Sequence, residues 1–267
     1  MPRCRALIGM LLAAAVLAIG APTASAARPI CPHQRNACVD RLIVEMQRNV
    51  DRLGCDHNAA FALLYERTTE GIRAALRLGA FTDRPFWTQI TTAFGRYYLD
   101  AFAAWRRGHP SRAPEAWRIA FRAAARERVS TLGDVFLGIN AHVNRDLAFV
   151  YARLRVRNHA DHLIVNTVLT NVQPVVLPQL AARFDPTVAL QRSNDPPLSF
   201  DIFKWRELAW RNAKRLRRAP TRAARRRVAA GIERHANAMA RRIRAAFPAT
   251  PAQSAARDAF CARAAAG

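Results

Sequence analysis

Apolar residues recur every three to four positions along most of the chain, and a two-residue alternation persists nowhere. That period selects helices over strands. Residues 39–53 place Leu42, Ile43, Met46, Val50 and Leu53 on one stripe. Residues 58–78 continue the pattern and stop at Gly79. Residues 84–105 are opened by Thr82-Asp83, with Pro85 in the first turn. Helices over 114–128 and 131–155 follow, the second capped by Ser130 or Thr131. Residues 161–184 read as a helix kinked at Pro174 and Pro178, with Asp161 as its cap. Residues 193–199, holding Pro196-Pro197, read as a loop. Helices over 200–218 and 221–247 and a short last helix carrying Cys261 complete the chain. With no internal repeat and no linker, the pattern predicts an all-α, single-domain multi-helix bundle with disulfides.

The first 26 residues stand apart. Arg3 and Arg5 precede an apolar run over 6–20, and Ala24-Ser25-Ala26 supplies a small-x-small cleavage site. This is the pattern of a secretory signal, cut between Ala26 and Ala27, and the rival is an uncleaved anchor. The run is short for a bilayer span, and no later stretch reads as long and apolar enough to cross one. The expected organisation is a signal over 1–26, an N-terminal segment and first helix over 27–56, a helical core over 57–210, and Arg-rich C-terminal helices over 211–267 packed on the same domain. The expected location is secreted or extracytoplasmic.

Cysteine usage agrees with export. Cys4 leaves with the signal, and Cys31, Cys38, Cys55 and Cys261 form an even set for an oxidising compartment. The helix over 39–53 holds its ends about 20–25 Å apart. A disulfide needs Cα atoms within about 7 Å, which argues against Cys38–Cys55. Two pairings stay open: Cys31–Cys38 with Cys55–Cys261, or Cys31–Cys55 with Cys38–Cys261. A zinc site on these cysteines has poor spacing and lacks a C-x-x-C.

The formal charge is +23, and without Arg3 and Arg5 it falls by two, to +21. Nearly all of it is Arg, with Lys only at 204 and 214. Such a balance favours anionic membrane or envelope surfaces, against the alternative of a merely solvated, Arg-rich exterior. In residues 221–247 an apolar stripe of Val228, Ile232, Met239, Ile243 and Phe247 is ringed by arginines. Such a helix either lies on an anionic membrane or docks its stripe on the core. Few aromatics interleave these arginines, so a nucleic-acid platform is not favoured.

One constellation in the central helix is suited to chemistry. With Ile139 at zero and about 100° per residue, Leu132, Val135, Val143 and Val150 fall within about 40° of it. Asp146 falls inside this stripe, with His142 one turn earlier at its edge. A buried carboxylate must be paired, hydrogen-bonded, protonated or metal-bound. His142 and Asp146 are therefore candidate ligands for zinc or another divalent metal, or an acid–base pair, or a polar contact pinning helices together. Asn140 and Asn144 lie off this stripe, nearer a helix boundary or a second contact surface. A second group, His159, Asp161, His162 and Asn166, brings Asp161 or His162 toward Asp146 if the two helices form a hairpin; Asp161 and His162 are the weaker metal candidates. His33, His57, His109 and His235 have no evident partners. A G-x-S-x-G elbow, a phosphate loop and a dinucleotide fingerprint are all missing from the sequence.

Several blocks resemble an uncharacterised bacterial family of unknown function. They are Phe61-Ala62-Leu63-Leu64-Tyr65-Glu66-Arg67-Thr68, Phe81-Thr82-Asp83, and Phe94-Gly95-Arg96-Tyr97-Tyr98-Leu99-Asp100-Ala101. The most distinctive is the G-x-N-A-H-x-N-x-D-L run, Gly138 to Leu147, and a D-x-x-x-x-N block from Asp161 to Asn166 follows it. The resemblance covers about residues 57–210, leaves out the Arg-rich C-terminal third, and implies an all-α fold without a known activity. On one helix, Leu137-Gly138, His142 and Asp146-Leu147 also resemble the zinc-dependent phospholipases C and their nuclease relatives. That likeness implies zinc on His142 and Asp146 and phosphoesterase activity. The second pair is here His162 with Asn166, and the expected mature start is Ala27 where those enzymes use a Trp. The expected function is an exported, non-catalytic helical protein binding anionic envelope material. The alternative is a metal-dependent hydrolase using His142 and Asp146.

Overall fold

The computed structural model describes residues 37–190 and 201–266, and every regular element among them is helical. The Ala37–Leu53 helix (α1) buries the stripe from Val39 to Val50 against α2 (Asn58–Arg77) and α3 (Arg84–Arg106). Asp83 caps α3 by accepting a hydrogen bond from the Phe86 amide at 3.0 Å, next to a proline in the first turn. Helix α4 (Glu115–Ala125) leads to Ser130, which accepts from the Gly133 amide and opens the central rod.

That rod is α5 (Thr131–Ile139), a widened π-helical turn (Asn140–Asp146) and α6 (Leu147–Leu154) in one line. The sequence pattern predicts one buried stripe here. Instead the rod is buried nearly all round, because α2, α3, α4, α8 and α9 pack on its different sides. Leu132 and Ile139, inside the predicted stripe, are only half-buried, while Asn140 and Asn144 are fully buried. A single-stripe reading misplaces Asn140 and Asn144 because helices pack on the rod from several sides, and the π turn alters the even angular step only for residues that follow its start. Close packing is purchased at Gly138, where a Cβ would overlap the Phe61 ring.

Helix α7 (His159–Arg183) contains Pro174 and Pro178 and packs Val165, Val168, Val172, Val176 and Leu180 inward. Its cap is Asn158, which accepts from the Asp161 amide, and not Asp161 as its sequence position predicts. Among the described residues, α7 is long and apolar enough to cross a bilayer, an exception to the expectation that no later stretch is. Helices α8 (Ile202–Arg218) and α9 (Arg222–Ala246) complete the core, capped by Asp201 and Thr221. The loop expected over 193–199 lies outside the described residues.

Helix α10 (Pro251–Ala266) is fastened to the start of α2 by the Cys55–Cys261 disulfide, with Cα atoms 6.0 Å apart. This selects the first of the two open pairings for these residues. Cys38 is also disulfide-bonded, and Cys31 lies outside the described residues. Closing a 206-residue separation restricts the unfolded chain by about 5 kcal/mol in the chain-entropy account. A second fastening lies beside it: Arg257 donates to Thr131 Oγ1 at 2.8 Å and to the Cys55 carbonyl at 3.1 Å, and Thr131 donates to Asp185.

Candidate functional site

Asp146 is fully buried at the end of the π turn. Its carboxylate accepts from Trp117 Nε1 at 2.8 Å and from Arg145 at 2.6 Å, and His142 Nδ1 lies 3.3 Å away. Burial works to raise its pKa, but the Arg145 charge and the bonds from His142 and Arg145 outweigh burial and hold it below the ordinary value. Arg145 is itself braced by Glu233 of α9 at 2.8 Å and lies over the Phe149 ring. A carboxylate with these partners is satisfied within the protein.

His142 occupies an aromatic cage. Its ring stacks on Phe94 with centroids 3.5 Å apart, and Tyr65 meets it edge-on at 4.4 Å. Phe61 and Trp117 close the remaining sides. Burial pushes the imidazole pKa down against the opposing pull of Asp146, so the ring is neutral. Facing an ionised carboxylate, the ring carries its proton on Nδ1, which leaves Nε2 as an acceptor. Nε2 has no protein partner.

His142 also lines a cavity of about 60 Å³, with Tyr65, Trp87, Thr91, Phe94 and Tyr151 among its walls. The buried Trp87 Nε1, a donor, likewise has no protein partner. Leu64, Thr68, Ile139, Leu169 and Ile202 line both this space and a larger apolar one of about 270 Å³. The larger space runs between α2, α5 and α7 toward the half-exposed Phe203 of α8. Together they form an apolar recess whose inner end offers one acceptor and one donor.

The second histidine group does not reach Asp146. His162 is fully buried beside α6 and α8, with Tyr151 Oη 3.0 Å from its Nδ1 and Arg206 donating to its backbone carbonyl at 2.6 Å. Burial, then the Arg206 and His159 charges, push its pKa down to about 3. Arg206 also donates to Asn166 Oδ1 at 2.7 Å, so His162 and Asn166 do share a face. Asp161 turns the other way and accepts from the backbone amides of Thr82 and Asp83, tying the α2–α3 turn to the start of α7. The reason is topological: α7 runs antiparallel along α2, so the start of α7 meets the α2–α3 turn and α8, away from Asp146.

Asn140 donates to the Ala236 carbonyl of α9, and Asn144 donates to Asn140 Oδ1, which makes the second contact surface a helix–helix seam. His57, for which the sequence shows no partner, lies 2.7 Å from Asp134. Burial pushes Asp134 up to about 6 despite the opposing His57 contact. Glu207, with no signal in its own segment, stands against both His159 and His162. Only tertiary packing reveals that association.

No curated protein and no solved structure matches the chain. A family model does match, and it takes in almost all of α1 and the whole of α9, so the resemblance reaches further at both ends than the sequence blocks at 57–210 and includes most of the Arg-rich region. Over residues 39–246 the chain belongs to a family of unknown function, DUF5995.

Proposed function

We propose that this is an exported, non-catalytic helical binding protein whose recess takes a mostly apolar small molecule carrying a hydroxyl head group. The observation that carries this reading is His142 Nε2, an acceptor without a protein partner, on the wall of a mostly apolar cavity. An apolar recess with a few placed polar groups is the usual form of a ligand site. A hydroxyl donates to Nε2, its oxygen is matched by the Trp87 N–H, and the apolar body fills the space between α2, α5 and α7. Export is supported by the signal pattern and by a disulfide suited to an oxidising compartment. A hydrolytic reading on His142 and Asp146 fares worse, since Trp117 and Arg145 already occupy the carboxylate.

The test is calorimetric titration with a medium-chain n-alcohol and with its methyl ether. The alcohol is expected to bind more tightly, His142→Phe to erase that preference, and Leu169→Trp to block both ligands by filling the shared wall. Absence of binding by either ligand, or an alcohol preference intact in His142→Phe, would sink the reading.

A second reading concerns the surface. Arg222, Arg226, Arg227, Arg234, Arg241 and Arg242 of α9 are exposed, while Ile232, Met239 and Ile243 are buried against the core. The apolar stripe is therefore engaged inside the protein, and the arginines alone support attraction to an anionic envelope surface. Sedimentation with anionic but not neutral vesicles, weakened by salt, supports this; equal binding to both kinds of vesicle rejects it.

A further inference from the structure

The first turn of α7 and the second turn of α8 bring His159, His162 and Glu207 together on a face separate from Asp146. His159 and His162 are three apart on a helix and so point the same way. Their ring centroids lie 5.3 Å apart. Glu207 Oε1 is 2.9 Å from His159 Nε2 and 3.2 Å from His162 Nε2, and the three atoms fall within 4.8 Å of one another. His162 is fully buried, and although its Nε2 lies near Glu207, it makes no hydrogen bond with the protein. Ligand atoms on a tetrahedral zinc ion, each about 2.0–2.1 Å from the metal, stand about 3.3 Å from one another. The spacing to Glu207 thus suits shared coordination at least as well as a direct bond.

We propose that His159, His162 and Glu207 hold a divalent transition-metal ion of the zinc class. Two imidazoles and one carboxylate make a borderline-soft donor set that fits zinc, cobalt or nickel better than magnesium or calcium. The side of the site where His159 stands is half-exposed, with its side chain 45% accessible, so a fourth position opens to solvent. Tyr151 Oη lies 3.0 Å from Nδ1 and, by accepting its proton, leaves Nε2 free for the ion; Arg206 Nη2, 3.3 Å from the same Nδ1, is the donor that opposes this tautomer. The Arg206 guanidinium is the adverse charge nearby. It is held on the Nδ1 side by the His162 carbonyl and Asn166, behind the ring from the ion, and Glu207 opposes it from the front. Tyr151 and Arg206 also line the cavity that His142 faces, so the metal site and the recess share a wall.

The experiment uses the full chain without a tag, titrated with zinc against a chromophoric chelator and with cobalt by visible absorption. One ion per chain and the spectrum of four-coordinate cobalt are expected. His159→Ala and Glu207→Gln should each weaken binding by about tenfold or more, and His142→Phe should leave it unchanged. His159 and Glu207 are both partly exposed, so these two variants are expected to fold, which circular dichroism checks. No saturable binding by the wild type, or binding at full strength in both variants, overturns the proposal.

Discussion

Two histidines one helix apart, His142 and His162, are both fully buried and both have a ring nitrogen without a protein hydrogen bond, yet their surroundings differ in kind. His142 sits among Phe61, Tyr65, Phe94 and Trp117, and its carboxylate partner, Asp146, is sealed from solvent with it. His162 has solvent-reaching neighbours, His159 and Glu207, on one side and Tyr151 with Arg206 on the other. The enclosing shell, more than the imidazole, sets the chemistry. An enclosing aromatic cage with a satisfied carboxylate makes a neutral acceptor for an apolar ligand. A site with a reachable second imidazole and a partly hydrated carboxylate suits a cation.

If that contrast holds, the largest effect should come from the sealed side. Asp146→Ala strips Trp117 Nε1 of its acceptor and leaves Arg145, itself mostly buried, with Glu233 alone. Removing one member of a buried charged network costs about 3–5 kcal/mol. Urea denaturation followed by far-ultraviolet circular dichroism measures it. A loss below about 1 kcal/mol would mean the cage is not sealed as described.

Next in size is Gly138→Ala. The added methyl would overlap the Phe61 ring, and Phe61 is one wall of the His142 cage. Overpacking of this kind costs about 1–3 kcal/mol. The same denaturation measurement checks it, and a neutral result would show that Phe61 has room to withdraw from His142.

How much of this was legible beforehand depends on which residues share a helix. Most helices follow from the spacing of apolar residues and from Ser130 and Asp83 as helix-start signals, because those signals are local. The His142–Asp146 pair was legible for the same reason: one turn of a single helix separates them. Trp117, Phe94 and the other cage walls come from α2, α3 and α4, and nothing in their own segments announces that they converge. Glu207 is hidden in the same way, one carboxylate in a charged helix, identified only when α8 meets the start of α7. Asp161 misleads because a carboxylate near a helix start reads as a cap, whereas Asn158 takes that role and frees Asp161 for the α2–α3 turn.

Acid sharpens the contrast further. His142 has a folded pKa below its ordinary value, so as pH falls below about 6.5 the unfolded chain takes up a proton that the native ring does not. Asp146 is also lowered, so its contribution is present above the ordinary carboxylate range and is lost as pH falls through the folded value. Both signs agree: this region loses stability on acidification, first through His142 and later through Asp146. In His142→Phe the part of the slope just below pH 6.5 that belongs to this ring should vanish, which denaturation midpoints at closely spaced pH values detect. An unchanged slope would mean that the native ring protonates in place.

The smallest effect belongs to the open side. His159 contributes a half-exposed ring and one contact to Glu207, a solvent-screened polar contact whose net worth is within about 0.5 kcal/mol. With metal removed by chelator, His159→Ala should therefore unfold at nearly the wild-type urea midpoint. With zinc present, the wild type alone should gain stability, because an ion that binds only the native state shifts the folding equilibrium by mass action. A large loss in chelator would recast His159 as a structural residue. Equal zinc stabilisation of wild type and variant would move the ion elsewhere and leave the difference between the two histidine regions as one of exposure alone.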